Sequence, residues 1–250
     1  MSADDILSRE QFAELQKQSA EKMMRDKELV QDSRDVLFRA DKHRWIHQAT
    51  WFGEPALNLP QDMFALQEII FRTRPQFIIE VGVAWGGSLL FYSTLMEVLG
   101  GGEIIGIDVF IPEDLKQRID SHGKLSERIH LINASSIEAE TIDKVKNITG
   151  DSTQTMILLD SNHTHEHVYQ ELQLYSELVG AGYYLICGDT IVEEFPEQGP
   201  RERPWGPGNS PRSALDAFLQ ENHRFEVDKE IENKLLFTCN PGGYLRCLLD

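Results

Sequence analysis

The amino-acid sequence predicts an α/β fold, in which a mostly parallel seven-stranded sheet has helices on both faces and an antiparallel pair of strands at its C-terminal end. Two observations predict this fold. From residue 77 onward, short apolar runs alternate with amphipathic segments of helical period, and this spacing is typical of a parallel sheet. A glycine-rich turn follows the first apolar run, as in strand-to-helix turns that bind a ligand.

Residues 1 to about 50 are charged, with scattered apolar positions in a helical pattern. This pattern predicts a pair of surface helices that pack on the main domain; the alternative is an arm that contacts another subunit or covers the active site. We therefore divide the chain into a helical extension, 1–58, and a main domain, 59–250. Three large aromatic residues near the boundary, Trp45, Trp51 and Phe52, indicate either a core plug or part of a substrate wall.

The main domain is predicted to begin with a helix that has Pro60 near its first turn. Parallel strands are predicted at 77–81, 103–108, 129–133, 155–160 and 183–187. The helices between them are predicted near 88–99, 112–121, 136–148 and 165–179. Ligands of such sheets bind at the carboxyl ends of the strands, so the residues that follow each strand are the candidates for function.

The alternating pattern ends after Asp189. The segment 193–211 contains five prolines and three glycines. A loop of this length inside a domain is usually a lid or a binding loop, and it leaves the sheet where a ligand would lie. We therefore predict a lid at residues 193–210.

The last part of the chain is predicted to return to regular structure. Ser210 and Pro211 are typical of a helix start and predict a helix over 211–222. Two apolar runs, 225–228 and 234–239, are close enough in sequence to form the final antiparallel pair.

Composition excludes several classes of protein. The chain has 250 residues, enough for one large domain or two small ones, and its hydrophobic content of 41% is ample for a core. A net charge of −17 argues against binding of nucleic acid, which needs clustered Lys and Arg. No apolar run reaches the length of a membrane span, and the acidic start shows no signal peptide. The three cysteines lack metal-ligand spacing and indicate reduced thiols in a cytoplasmic protein.

The glycine-rich turn lies in Phe77–Ser88, where the strand ends near Glu80 and glycines follow from Gly82. It is not a dinucleotide fingerprint, because Ala84 holds the place of the second glycine, and it is not a P-loop, because it has no lysine. The remaining pattern, E-x-G-x-x-x-G-G, resembles the first motif of class I S-adenosylmethionine-dependent methyltransferases. That resemblance implies a cofactor site with Glu80, Gly82 and Ser88; the alternative is a tight turn without a ligand.

Two further residues follow neighbouring strands of the predicted sheet. Asp108 closes the second strand, where an acid can accept hydrogen bonds from ribose hydroxyls; a helix N-cap is the alternative. Ser135 follows the third strand and is predicted to lie near the adenine. Both are therefore candidates for cofactor binding.

Carboxylates end the next two strands. Asp160 and Asp189 would meet at one rim of the sheet if these strands are neighbours, and a divalent cation would relieve their repulsion. Oxygen ligands favour Mg²⁺. We therefore predict a metal site of Asp160 and Asp189, with Asp160 also near the cofactor.

Histidines follow Asp160 in the sequence. His163 is predicted to start the next helix, where it could take a proton from a substrate hydroxyl. His165 and His167 complete a His-x-His-x-His run, which could indicate Zn²⁺ or non-haem iron. A helix beginning near His165 would point the two later histidines to different faces, so a surface position is favoured for both.

The chain resembles the cephalosporin-hydroxylase-like family over roughly residues 43 to 246. The resemblance rests on 51–55, on Pro60-Gln-Asp62, on Asp160-Ser-Asn-His163, on 180–186 and on Asn240-Pro-Gly-Gly-Tyr-Leu245. It implies the Rossmann-like fold of class I methyltransferases and similarity to macrolide-sugar and rhamnosyl O-methyltransferases, which use S-adenosylmethionine and Mg²⁺. It also implies a metal held by an Asp at position 160 and by a Glu-Asp pair, with the histidine at 163 as base.

One residue departs from the family's pattern. Gly188 stands where the Glu of the Glu-Asp pair is expected, and only Asp189 of that pair remains. Water, Asn162, or Glu193 or Glu194 of the lid could substitute; otherwise the metal binds weakly or not at all.

The leading hypothesis is an O-methyltransferase acting on a hydroxyl of a sugar or another small molecule, with Mg²⁺ and a histidine base. A metal-dependent oxygenase is the second hypothesis. The third is a non-catalytic S-adenosylmethionine-binding protein, which the missing Glu at Gly188 keeps open. The expected partners are the hydroxyl acceptor and further copies of the same chain.

Overall fold

The computed structural model describes residues 7–195 and 203–249, in which strands and helices alternate from residue 60 onward. The strands are β1 (Thr50–Trp51), β2 (Glu54–Pro55), β3 (Phe77–Val81), β4 (Glu103–Asp108), β5 (Ile129–Asn133), β6 (Thr155–Leu159), β7 (Tyr184–Cys187), β8 (Phe225–Val227) and β9 (Tyr244–Cys247). The helices are α1 (Arg9–Arg25), α2 (Lys27–Asp41), α3 (Pro60–Thr73), α4 (Gly87–Leu99), α5 (Glu113–Asp120), α6 (Ala139–Thr149), α7 (His165–Ser176), α8 (Pro211–Glu221) and α9 (Lys229–Glu232).

Strands β3 to β9 form one seven-stranded sheet in the order β5-β4-β3-β6-β7-β9-β8. The first five strands in this order pair in parallel, and β9 pairs antiparallel with both β7 and β8. The predicted fold class is therefore confirmed. From β3 the chain first adds β4 and β5 on one side of the sheet and then crosses to add β6 and β7 on the other side. Ligands of such sheets bind at this switch point, next to β3.

One of the two strands predicted for the final antiparallel pair is wrong. Residues 234–239 form turns, and the antiparallel partner of β8 is β9, which also covers the edge of β7. Leu236 has a φ of 61°, a left-handed conformation that interrupts an extended run. The apolar side chains of Leu235 and Cys239 are buried without strand pairing, so their hydrophobicity alone was misleading.

Hydrophobic clusters cover both faces of the sheet. One cluster joins the sheet to α6, α7 and α8 and includes Val145, Leu172 and Phe218. The other joins it to α3 and α4 and includes Ile69 and Leu89. The parallel strands read as nearly continuous apolar runs because both of their faces are covered.

The N-terminal extension contacts the main domain chiefly through α2, since α1 has no buried residue. A third cluster packs Leu37 of α2 against Ile191 and Phe195, which follow β7. Trp45 packs against this cluster as well. None of the described helices is both long enough and apolar enough to cross a membrane.

The aromatic residues near the boundary separate into two groups. Trp51 lies in the β1–β2 hairpin, where its ring meets Phe91 with centroids 5.0 Å apart and its Nε1 donates to Thr94 at 3.1 Å. Trp45 is also partly buried. Phe52 is 61% exposed at the tip of the hairpin. The core interpretation therefore holds for the two tryptophans and is wrong for Phe52.

Candidate active site

A cavity of about 350 Å³ opens at the carboxyl ends of β3, β6 and β7. Six residues that the sequence indicated line it: Glu80, Gly82, Ser88, Asp160, His163 and Asp189. Two others, Asp108 and Ser135, lie at the ends of β4 and β5 and do not line it. The parallel register brings the first six together, because β3, β6 and β7 end side by side.

The glycine-rich turn passes unusually close to the loop after β6. Gly82 has a φ of 98°, and a Cβ placed on it would lie 2.0 Å from the Asp160 carbonyl oxygen. Gly87, at the start of α4, meets the β1–β2 hairpin, and its Cβ would lie 2.3 Å from the Pro55 carbonyl oxygen. The glycine spacing is therefore required by packing as well as by any ligand.

Gly82→Ala is expected to lower the free energy of unfolding by about 2–4 kcal/mol, because it adds a clash with a backbone atom to an unfavourable φ. Gly100→Ala is the matched control, since Gly100 has a φ of 97° and no atom within 4 Å of an added Cβ. It should cost only about 1 kcal/mol. Urea denaturation of the two variants measures the difference, and equal losses would contradict the close approach of Gly82 to Asp160.

Glu80 is buried at the end of β3, and its carboxylate accepts hydrogen bonds from two side chains of α4. Ser88 Oγ donates to it at 2.7 Å and Tyr92 OH at 3.0 Å. Burial raises the pKa of Glu80 to about 7, against the opposite effect of these two hydrogen bonds. Tyr92 was missed at the sequence level, although its spacing of four residues from Ser88 puts both on one face of α4.

Asp108 holds the glycine-rich turn in place. Its Oδ2 accepts the backbone N–H groups of Val83 at 2.9 Å and Ala84 at 3.2 Å, and its Oδ1 accepts that of Phe110 at 3.0 Å. The N-cap alternative is wrong, because Pro112 occupies the N-cap position of α5. A carboxylate has about four lone-pair sites, so Asp108 retains the capacity to accept a further hydrogen bond.

Asp160, His163 and Asp189 form a cluster that could hold a metal ion. One ligand atom from each lies within 4.8 Å of the others, and all three residues are half-buried. His163 Nε2 is 3.3 Å from Asp189 Oδ2. Burial raises the pKa of Asp160 well above its usual range, and the charges of Asp189, Glu80 and Glu171 raise it further. Two carboxylates and an imidazole with excess negative charge suit a divalent cation.

Gly188 leaves no space for a side chain next to this cluster. A Cβ on it would lie 2.8 Å from the Leu159 carbonyl oxygen and 3.1 Å from Asp160 Cγ. A glutamate at position 188 would therefore require the Leu159 backbone to move and Asp160 to give way slightly. In this chain the half-buried His163 is the third potential ligand beside the two aspartates.

The residues suggested as substitutes for the missing Glu are engaged elsewhere. Asn162 accepts from the backbone N–H and the hydroxyl of Thr164. Glu193 accepts from the Gly208 N–H at 3.0 Å and from the Ser210 hydroxyl. Glu194 pairs with Arg34 of α2 at 2.9 Å. None of these three belongs to the candidate metal cluster found among residues 7–195 and 203–249.

The two later histidines bind other partners than a metal. His165 Nδ1 is 2.9 Å from Ser213 Oγ on α8, whereas His167 Nε2 is 3.1 Å from Glu171 Oε1. They do point in different directions, but both are half-buried, so the surface interpretation is wrong. His163 itself precedes α7, which begins at His165.

Glu171 is a fully buried carboxylate that the sequence did not single out. Its Oε1 accepts from Ser136, which follows β5, and at 2.6 Å from Ser161, which follows β6. Glu171 therefore connects, through hydrogen bonds, the turn after β5, which contains Ser135, with the turn after β6, which contains Asp160. Its position within the apolar face of α7 has no local sequence signal, because it depends on both turns.

The described part of the lid reaches the cavity. Trp205 packs edge-on against His163 with ring centroids 4.9 Å apart, and the Arg203 guanidinium lies 5.0 Å from the indole centroid. Both residues line the cavity. Residues 196–202 of the predicted lid lie outside the described residues.

The N-terminal extension supplies another wall of the same cavity. Asp41, Ile46 and His47 line it, together with Leu57 and Asn58 just before α3. Among residues 7–195 and 203–249, the side chains of Asp41, His47 and Asn58 make no hydrogen bond. Within the described residues, their polar atoms therefore have no competing side-chain partner.

Comparison with known proteins gives a consistent result. A family model described as "Rhamnosyl O-methyltransferase/CmcI" matches residues 43–248. The rhamnosyl O-methyltransferase of Mycobacterium tuberculosis is 27% identical over 213 residues, covering 81% of this chain and 82% of the relative. That of Mycobacterium leprae is 28% identical over 213 residues, covering 81% of this chain and 87% of the relative.

Solved structures of CmcI are similar in fold. A ligand-free form aligns with a TM-score of 0.56 and 19% identity, covering 82% of this chain and 78% of CmcI. A form with magnesium and S-adenosylmethionine aligns with a TM-score of 0.55 and 20% identity, covering 81% and 77%. At this level of identity the likeness shows a common fold.

Proposed function

The chain belongs to the rhamnosyl O-methyltransferase/CmcI family, and we propose that it transfers a methyl group from S-adenosylmethionine to a hydroxyl of a small glycoside. The observation that carries this proposal is the convergence of Asp160, His163 and Asp189 beside the glycine-rich turn in one cavity. A methyl donor and an activated hydroxyl need to lie in line and in contact, which requires both to bind in one cavity.

The cofactor is proposed to bind along the carboxyl ends of β3, β4 and β5. The buried Glu80, held by Ser88, would face the cationic amino-acid part of S-adenosylmethionine, with the backbone at Gly82 close to the ligand. Asp108 and Ser135 would contact the ribose and the adenine. Asp160 lines the cavity beside Gly82 and also clusters with His163 and Asp189, which supports its assignment to both the cofactor site and the metal site.

The metal is proposed to be Mg²⁺, held by Asp160 and Asp189. Bound there, it would orient the acceptor hydroxyl and lower its pKa. His163 would accept the proton of that hydroxyl, and Asp189 Oδ2, at 3.3 Å, would orient the imidazole and stabilise its protonated form. S-adenosylmethionine would supply the methyl group: the new O–C bond would replace the sulfonium C–S bond, leaving S-adenosylhomocysteine, while the hydroxyl proton would pass to His163.

A sugar acceptor is supported by the lining of the cavity and by the names of the relatives. Trp205 offers an aromatic surface, and Asp41, His47 and Asn58 offer polar atoms without partners in the described chain. This arrangement suits a ring with several hydroxyls. It also extends the proposed role of the N-terminal segment 1–58, which would form the acceptor wall.

The rival functions have less support. A 2-His-1-carboxylate iron site would need a second histidine beside His163, but His165 and His167 bind Ser213 and Glu171 instead. The cluster contains two carboxylates and one histidine, which favours Mg²⁺ or Mn²⁺ over an oxygenase iron centre.

The proposal is tested by incubating the purified protein and Mg²⁺ with methyl-labelled S-adenosylmethionine and a panel of rhamnosides and other glycosides. We expect label on a sugar hydroxyl of at least one glycoside and inhibition by S-adenosylhomocysteine. Binding of the cofactor without transfer to any glycoside would support the non-catalytic alternative. Turnover of 2-oxoglutarate with iron would support the oxygenase.

A further inference from the structure

Two motifs that carry the family resemblance, Pro60-Gln-Asp62 and Asn240-Pro-Gly-Gly-Tyr-Leu245, have no role in the chemistry described so far. Neither segment lines the cavity. In the fold, however, the two segments contact each other next to Asp189, on the side away from the cavity. The contacts between them form a continuous chain of hydrogen bonds that ends on the backbone of this proposed metal ligand.

Asp189 has an unfavourable backbone conformation. Its φ is 48° and its ψ is 30°, in the left-handed region that non-glycine residues seldom adopt. Such a conformation persists only where the surroundings hold it. The Asp189 N–H donates to Asn240 Oδ1 at 2.9 Å, and this side-chain contact helps to hold the backbone of Asp189 in its left-handed conformation.

Asn240 is itself fixed on several sides and is only 6% exposed. Its Nδ2 donates to the Tyr244 hydroxyl at 3.4 Å, and its backbone N–H donates to Thr238 Oγ1 at 3.0 Å. Its carbonyl accepts the Gly243 N–H at 2.9 Å. The amide is therefore held in one orientation, with its oxygen towards Asp189.

The chain of hydrogen bonds begins at Asp62 of α3. The Tyr244 hydroxyl donates to Asp62 Oδ1 at 3.0 Å, and the Cys239 N–H donates to Asp62 Oδ2 at 2.9 Å. Asp62 is fully buried. Each donor points towards Asp62, so the carboxylate fixes the direction of the Tyr244 hydroxyl and, through it, of the Asn240 amide.

The backbone of the C-terminal segment reinforces this arrangement. The Cys187 N–H donates to the Gly243 carbonyl at 2.9 Å at the end of β7. A Cβ on Gly243 would lie 2.2 Å from the Cys187 carbonyl oxygen, so only glycine permits this approach. The Thr190 hydroxyl donates to the Pro241 carbonyl at 2.8 Å, on the other side of Asp189.

We infer that Asn240 is a positioning residue for Asp189, and that Tyr244 and Asp62 hold Asn240 in the orientation that presents the Asp189 carboxylate to the metal. The inference rests on the proposed function, because it takes Asp189 as a metal ligand. Groups behind a ligand set its orientation, and their loss typically weakens metal binding 10–100-fold.

The test measures binding of Mn²⁺ alone, by electron paramagnetic resonance and calorimetry, without cofactor or acceptor. Asn240→Ala is expected to weaken Mn²⁺ binding about 10–100-fold. In separate measurements, the affinity of this variant for S-adenosylmethionine should change by less than about twofold, and saturating metal should restore most of the turnover on a glycoside that the wild type methylates. A general structural defect would not be reversed by metal, so this recovery separates positioning from structure.

Asn222→Ala is the matched control. Asn222 Oδ1 accepts the Arg224 N–H at 2.9 Å at the end of α8, and the residue does not line the cavity. Its variant should bind Mn²⁺ like the wild type. Tyr244→Phe is the second test variant, because it keeps the ring and removes only the hydroxyl between Asn240 and Asp62; it should weaken Mn²⁺ binding even if Asn240→Ala fails to fold.

Unchanged Mn²⁺ affinity in a folded Asn240→Ala or Tyr244→Phe variant would overturn the inference. Asp189→Asn distinguishes this failure from a failure of the proposed function. If Asp189→Asn loses Mn²⁺ binding while the two supporting variants keep it, Asp189 is a ligand and only the positioning role is wrong. If Asp189→Asn also binds Mn²⁺ normally, the proposed metal site is wrong as well.

Discussion

His163→Ala is expected to reduce the turnover number about 10²–10⁴-fold, because an alcohol is a poor nucleophile while it keeps its proton and this variant removes the proposed proton acceptor. Affinity for S-adenosylmethionine should be unchanged, since His163 contacts Trp205 and is not among the residues proposed to bind the cofactor. Single-turnover methyl transfer and calorimetric titration of the cofactor measure the two quantities separately.

His165→Ala is the matched control for this prediction. His165 is a neighbouring half-buried histidine, but it contacts Ser213 and lies outside the metal-binding cluster. Its variant should keep nearly full turnover. Wild-type turnover in His163→Ala would mean that the acceptor proton leaves by another route, and the proposed role of His163 would then be abandoned.

Asp160→Asn and Asp189→Asn are expected to lose most of the activity and its dependence on Mg²⁺. Each substitution keeps the shape of the side chain and removes the negative charge that a divalent cation needs. Activity assays over a range of Mg²⁺ concentrations, with Mn²⁺ binding as an independent measurement, test both variants. Asp143→Asn, on the exposed surface of α6, is the control and should behave like the wild type.

Asp160→Asn is expected to stabilise the metal-free protein, although it should reduce activity. Burial, and then the charge of Asp189, raises the pKa of Asp160 in the folded protein above its value in the unfolded chain. The metal-free fold therefore loses stability as the pH rises from the unfolded-state pKa towards the folded-state pKa of this carboxyl group. At neutral pH the metal-free Asp160→Asn protein should therefore melt at a higher temperature than the metal-free wild type. A lower melting temperature would contradict the charge repulsion assigned to this cluster.

Full activity of the wild type in excess EDTA would count against the metal site. In that case the close approach of Asp160 and Asp189 would need another explanation, such as a shared proton between the two carboxylates. The proposed cofactor site at the glycine-rich turn would be unaffected by this outcome, because Glu80, Ser88 and Tyr92 form a separate set of contacts.

Local chemistry explains why the position of the site could be predicted from the sequence. Parallel strands end at the same edge of a sheet, so Asp160 and Asp189 could be expected to meet once their strands were recognised. The turn from Gly82 is likewise visible as a pattern. The role of Asp108 in holding Val83 and Ala84 was not visible, because a carboxylate at a strand end can bind a ligand or the backbone beside it equally well.

Residues that act through distant contacts could not be predicted in this way. Glu171 joins the turns after β5 and β6, and Asn240 reaches Asp189 from the C-terminal segment. Neither position follows a parallel strand, which was the rule used to select candidates. The misplaced final strand had the same cause, since Leu235 and its neighbours are buried by contacts from other elements rather than by strand pairing.

The sequence by itself determined the α/β fold, the glycine-rich turn and the carboxylates at the strand ends, because periodicity and strand-to-helix turns are local properties of the chain. Only the tertiary structure decided that His163 lies close enough to Asp160 and Asp189 to form one cluster with them. It also decided that Asn240 lies behind Asp189. These choices depend on the packing of segments far apart in sequence, and no local pattern contains that information.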